Sequence, residues 1–393
     1  MSSAWMEKNI FLGMPFGSYL KSLLTWQNLL LAFIILPGLY LLGYRFYAGL
    51  GATTNLTQQQ PWGIWIGFDM MTGIALAAGG FTVGAAVEIF NLKKFHAIER
   101  PAILTGFLGY LMAVFGLIAD LGKPWNMVGI FQYNGTQSVL FEVAWCVALY
   151  TTVLFLEFSV PLFEWLKIER LYKPLKKSLL ALTVLSVMFS TMHQSALGSL
   201  FIIAPGKLHP LWYSQMMFIL FFVSAAIAGL CMVIVESAIS HKVFSSRVDH
   251  HIDILGITIG LAKTASILLF AYAFLKLQAV IDNHALEFIG VGFHGKWWLV
   301  EMLVFIALPC GLLAFGSKRE SLPIMRWGAA IGVLGIVVNR LNVSVIAWDW
   351  KSTNHYVPSL IEVWVSLTLV CIGVVMFRWI VLRMDILSVK HEA

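Results

Sequence analysis

A few ionisable side chains interrupt long apolar runs, and their types suit proton handling. In the stretch STMHQSALGSL, residues 190–200, His193 and Gln194 stand side by side inside a run of apolar residues. Carboxyl groups recur in similar settings at Asp69, Glu142, Glu301 and Glu362; Asp120 closes another run, and Arg340 lies between Asn339 and Asn342. A histidine changes charge close to neutral pH, and a desolvated carboxyl is pushed toward the same range, so the two types together can store and pass protons. An ionisable group in hydrocarbon costs about 2.5–3.5 kcal/mol on insertion scales, which makes each of these residues a functional candidate.

The elements that position them are membrane-spanning helices. The chain of 393 residues is 59% hydrophobic and only 12% charged, which excludes an ordinary soluble domain. Runs of roughly 20 apolar residues, the length a spanning helix needs, occur near 26–48, 62–90, 101–119, 138–164, 178–203, 212–240, 252–280, 297–316, 325–347 and 359–382. Strand-like alternation is absent, so the expectation is an all-α polytopic membrane protein of ten transmembrane helices. The first 25 residues lack an uninterrupted apolar core and a small-residue cleavage site, so the first helix is expected to stay as an anchor.

Alternate loops differ sharply in charge. With the N-terminus inside, the outer side holds only Arg45, Lys123, Lys207, Lys296 and Lys351 of the loop cations, so both termini are expected in the cytoplasm. The net charge of +6 is then a topology signal and does not indicate nucleic-acid binding. No connection is long enough for a soluble catalytic domain.

Laying the second to fifth runs on the sixth to ninth suggests a parallel duplication. Val87-Glu88 aligns with Val235-Glu236, FEVAWCVAL around Glu142 with VEMLVFIAL around Glu301, and MHQS at 192–195 with LNVS at 341–344. The expected organisation is an N-terminal segment with the first helix (1–61), a first four-helix bundle (62–205), a second (206–350), and the last helix with its tail (351–393).

At 1.5 Å per residue, Asp69 lies about 10 Å from the outer end of its span, Glu142, Glu301 and Glu362 about 5–6 Å, and His193 about 10–15 Å. Arg340 shares that level and Asp120 closes the third span at the same face. These residues therefore form one layer in the outer third of the bilayer. Arg340 has a simpler reading, as the neutralising partner of Glu301 or Glu362. A thinner set runs inward, with Lys263 near the midplane and Glu157, Glu88 and Glu236 beyond it, as a candidate proton path.

Only His193 among the ten histidines is expected within a span, which argues against a bis-histidine haem and against a metal site. Cys146, Cys231, Cys310 and Cys371 are scattered through apolar runs with no iron–sulfur spacing. What remains is an apolar pocket with a titratable histidine and carboxyls near the outer surface. A quinone suits it: the ring needs hydrogen-bond partners, its reduction consumes two protons, and its tail needs an opening to lipid.

The motifs PWGIWIGFDMMTGIALAAGGF (61–81), Arg100-Pro101, SVLFE (138–142), TMHQSALGSL (191–200), KLHPLWY (207–213) and NRLNVSV (339–345), followed by Tyr356 to Pro358, resemble the NrfD/PsrC membrane subunits. Within them the pattern is most similar to the HybB branch of hydrogenase "cytochrome b" subunits. The resemblance implies a haem-free subunit of ten helices without its own iron–sulfur cluster, in a bacterial inner membrane. Such a subunit exchanges electrons between menaquinone or ubiquinone and a periplasmic ferredoxin-like iron–sulfur protein, which a Ni/Fe hydrogenase supplies. It also implies a quinone site in the first bundle, near Asp69, Trp65, Asp120, Glu142 and His193, with Lys263, Glu157, Glu88, Glu301 and Arg340 as a proton path. The residues alone leave open two other readings, a secondary transporter or channel and a passive anchor of a molybdopterin or multihaem complex.

Overall fold

The computed structural model describes residues 3–132, 135, 137–249, 251–352 and 355–387. Ten helices are long and apolar enough to cross a membrane: Trp26–Ala48, Trp65–Ile89, Lys93–Asp120, Val139–Leu166, Leu179–Ile202, Met217–Val243, Ile254–Asp282, Gly292–Lys318, Leu322–Ile346 and Leu360–Val381. We number them as spans one to ten. Among the described residues no strand forms, and one isolated bridge joins Leu208 to Trp348.

The first and last described segments meet at one face. Arg383, just beyond span ten, donates through Nε to the Ile10 carbonyl (3.0 Å) and through Nη2 to the Tyr19 hydroxyl (2.7 Å). We call this the termini face and its opposite the far face.

Spans two and three form the centre. Span two packs on spans three, six and nine, span four on spans three and five, and span ten on spans one and three. Small residues permit the closest approaches. A Cβ at Gly229 would lie 2.5 Å from the backbone at Ala78 and Gly79, so spans two and six touch backbone to backbone. A Cβ at Gly116 would meet the Asp69 Cβ at 2.6 Å.

Three spans carry π-helical turns at their polar residues: Trp65–Thr72 around Asp69, Glu301–Ala307, and Asn342–Ile346. A π-turn inserts a residue into the helical repeat and rotates everything beyond it, which re-aims side chains at sites where polar groups must meet.

Candidate functional site

Span three divides the candidate residues. On one side, between spans two, three and four, lies a cavity of about 620 Å³ walled by Met70, Met71, Phe107, Val114 and Val147. Its rim residues Phe131, Leu140 and Phe155 are exposed, so it opens between spans three and four. Asp120 is the one ionisable side chain lining it, and its Oδ1 is buried without a hydrogen-bond partner among the described residues. Thr151 and Thr152 also line it, but their hydroxyls are spent on the Val147 and Ala148 carbonyls of their own helix (2.7 and 2.8 Å).

Asp120 stands where span three ends, and span one secures that end. Arg45, 1% exposed, donates through Nε to the Ala119 carbonyl (2.5 Å) and through Nη2 to the Leu121 carbonyl (2.6 Å). It satisfies carbonyls that a helix terminus leaves free and places a cation beside the carboxyl without an ion pair.

Below the cavity a second polar group is fully enclosed. His193 has no exposed surface, and its Nδ1 shares a hydrogen bond with the Tyr110 hydroxyl (3.2 Å). The Tyr110 ring meets Tyr150 edge-on at 4.5 Å. Toward the termini face Ser186 donates to Glu157 Oε2 (3.4 Å). The Tyr110 hydroxyl lies within reach of Ser190 and Gln194, and the Tyr150 hydroxyl of Ser186 and Ser190. His193 Nε2 has no partner among the described residues, and a buried ring nitrogen left unpaired is uncommon. Thr183, Ser186, Ser190 and His193 recur at three- and four-residue spacing, so they share one face of span five. The column ends at Glu157, which lines a cavity of about 790 Å³ at the termini face together with Glu88, Glu99, Glu164, His96 and Arg100. Gln194 turns away as its position predicts and donates to the Ile74 carbonyl of span two (3.4 Å).

The other members of the expected outer layer face elsewhere. Asp69 accepts from the Ser366 hydroxyl (2.5 Å) and borders a separate cavity on the opposite side of span three. Trp65 is fully buried and donates to the Glu362 carbonyl of span ten (3.2 Å). Glu142 is exposed in the first turn of span four and lines no cavity described here. One depth therefore holds several environments, because depth fixes height but not rotation about the helix axis.

In spans six to nine several polar residues close on one another. Glu301, 1% exposed, accepts from Lys276 (2.5 Å), Trp212 (2.6 Å), Asn342 (2.7 Å) and Asn339 (2.9 Å). The partner of Glu301 is thus Lys276, not the expected Arg340. Arg340 donates to Asn339 Oδ1, Ser224 Oγ and the Phe221 carbonyl, and its guanidinium lies 3.9 Å from the Phe221 ring centre. Glu362, the other expected partner of Arg340, accepts from the Asn55 and Ser359 amides and the Tyr356 hydroxyl. Lys263 is exposed and distant from this network, whereas Lys276 was not among the residues singled out in the sequence.

Outside the spans, His209 is buried and stacked on His294 with ring centres 5.0 Å apart. Burial and the neighbouring imidazole push its pKa down to about 4. His250 and His391 lie outside the described residues. Among the described residues no group of three His, Cys, Asp or Glu side chains is placed to hold a metal ion.

The family model described as "Polysulphide reductase, NrfD" matches residues 52–347. A Nitratidesulfovibrio vulgaris protein is 43% identical over 372 residues, covering 93% of this chain and 96% of that one. The Escherichia coli protein named "Probable Ni/Fe-hydrogenase 2 b-type cytochrome subunit" is 31% identical, covering 89% of this chain and 91% of its own length. A second Nitratidesulfovibrio vulgaris protein, "Menaquinone reductase, integral membrane subunit", is 28% identical over 83% of each chain.

Proposed function

The chain belongs to the NrfD family of integral membrane subunits, and on that premise we propose that it passes electrons between the membrane quinone pool and a periplasmic iron–sulfur partner of a Ni/Fe hydrogenase. The observation that carries the quinone assignment is the largely apolar cavity of about 620 Å³ with Asp120, one of whose oxygens has no partner among the described residues, as its one ionisable lining residue. Ligand sites of this kind are mostly apolar, with a few polar groups that fix orientation. Likeness to the hydrogenase subunit of Escherichia coli supports the partner class.

A bound quinone supplies the two-electron, two-proton chemistry. Asp120 would be the group in the wall able to hydrogen-bond the ring and to hold and release a proton, and the nearby Arg45 charge would help to stabilise its carboxylate. The apolar walls exclude bulk water and hold the ring. Resupply runs from the termini face, which we place in the cytoplasm of a bacterial inner membrane, through Glu157, Ser186, Tyr150, Ser190 and Tyr110 to His193. His193 does not line the cavity, and its partner Tyr110 lies ten residues, about 15 Å, before Asp120 on span three, so the last step needs several waters in file. This route retains Glu157 from the sequence reading, with Glu88 lining the cavity at its entrance; exposed Lys263 and the Glu301–Arg340 network lie off it.

The test uses the intact complex in native membranes. Asp120→Asn should lower hydrogen-driven quinone reduction by about a hundredfold while hydrogen-driven reduction of a soluble dye continues. Wild-type quinone reduction in that variant would overturn the assignment.

A further inference from the structure

The cavity on the far side of span three from Asp120 is a different kind of site. It has a volume of about 440 Å³, lies between spans two, three, six and ten, and is bordered by Asp69, Glu236, Met112, Gly373, Phe377 and Arg378. Along span six its walls run from Met232 to Phe244, about 18 Å at 1.5 Å per residue, close to the roughly 15 Å depth of one hydrocarbon leaflet.

Its polar residues are mostly engaged with protein. Asp69 is held by Ser366, Thr72 donates to the Gly67 carbonyl (3.0 Å), and Thr105 donates to Glu236 Oε2 (2.8 Å). Glu236 keeps one unpartnered oxygen, at a wall shared with a small neighbouring cavity. The cationic group is at the end nearest the termini face: Arg378 donates through Nη1 to Asn28 Oδ1 (2.9 Å), and its other guanidinium nitrogens have no partner among the described residues. An apolar slot one leaflet deep with a cation at its interfacial end matches a lipid that has a negative head and a saturable tail space.

We propose that this groove binds an anionic phospholipid of the leaflet at the termini face, with one acyl chain along spans six and ten and its phosphate on Arg378. The site is independent of the quinone cavity, from which span three separates it.

The intact complex is purified in mild detergent, and its retained phospholipids and quinone are extracted and measured by mass spectrometry. Its thermal melting is compared in phosphatidylglycerol and phosphatidylcholine nanodiscs. The wild type should retain phosphatidylglycerol or cardiolipin stoichiometrically and melt higher in phosphatidylglycerol. Arg378→Gln should cut the retained anionic lipid by about fivefold, the factor expected for one interfacial cation. Gly373→Phe should displace it by filling the slot, and Asn28→Ala should leave it bound, which separates loss of the charge from loss of the Asn28 contact. Quinone content should stay at the wild-type level in all three variants. If Arg378→Gln does not fold, the Gly373→Phe and nanodisc comparisons decide. Retention of anionic lipid in Gly373→Phe, equal melting in the two lipids, or release of quinone by Gly373→Phe would each overturn the proposal.

Discussion

Spans two to five and spans six to nine handle buried polarity in opposite ways. In the second, one carboxylate receives four donors, Lys276 among them, and no large cavity among the described residues reaches it. In the first, an open cavity is lined by Asp120, one of whose oxygens has no partner among the described residues, and His193 Nε2 beneath it has none either. A carboxylate with four donors holds helices in register and has little left to offer a ligand, whereas an acid with an unpartnered oxygen beside a cavity keeps hydrogen-bonding capacity for one. The contrast separates structure from function better than the mere presence of charge.

The sharpest way to break the comparison is to open spans six to nine. Lys276→Met leaves Glu301 buried without its counter-charge and should cost about 3–5 kcal/mol, seen as loss of folded protein in membranes. Lys276→Met combined with Glu301→Gln should restore much of it; an equally unstable double variant would mean that the ion pair is not the cause.

In spans two to five Asp120→Leu should lower quinone turnover by about a hundredfold, the lower range for losing an acid–base group, with melting little changed. A large fall in melting temperature would reassign Asp120 to the structural class.

His209 reports on spans six to nine through pH. Its folded-state pKa of about 4 lies below the ordinary histidine value, so the unfolded chain takes the proton first as pH falls. This contribution to stability is complete above about pH 6.5 and is lost as pH falls toward 4, by roughly 1–3 kcal/mol across the window. Melting curves of wild type and His209→Phe should converge in slope only above that window; parallel curves throughout would remove the effect.

Smaller changes sharpen the picture of the column. Tyr110→Phe removes the hydroxyl shared with His193 and should slow quinone turnover by about fivefold, the equivalent of a hydrogen bond worth about 1 kcal/mol. Exposed Glu142→Gln should stay within about twofold of wild type, as surface substitutions do.

The ten spans were legible in the sequence because each must be apolar for its full length. Which residues face one another was not. The π-helical turns at Trp65–Thr72 and Glu301–Ala307 rotate Asp69 and Glu301 away from the directions a regular helix assigns. Lys276 escaped notice because a lysine near the end of a span is indistinguishable in sequence from one that snorkels. The polar face of span five was readable in the spacing of Thr183, Ser186, Ser190 and His193, but its partners Tyr110 and Tyr150 are ordinary residues in a spanning helix and emerge only through packing.

The most direct test is photolabelling of the intact complex in membranes with a photoreactive quinone analogue, followed by peptide mapping. The account predicts label on the segments 107–120 and 140–155 around the Asp120 cavity, displaced by excess quinone and lost in Asp120→Leu. Displaceable label on the segments around Lys276, Glu301 and Arg340, or in the groove beside Arg378, with none in the Asp120 cavity, would contradict it.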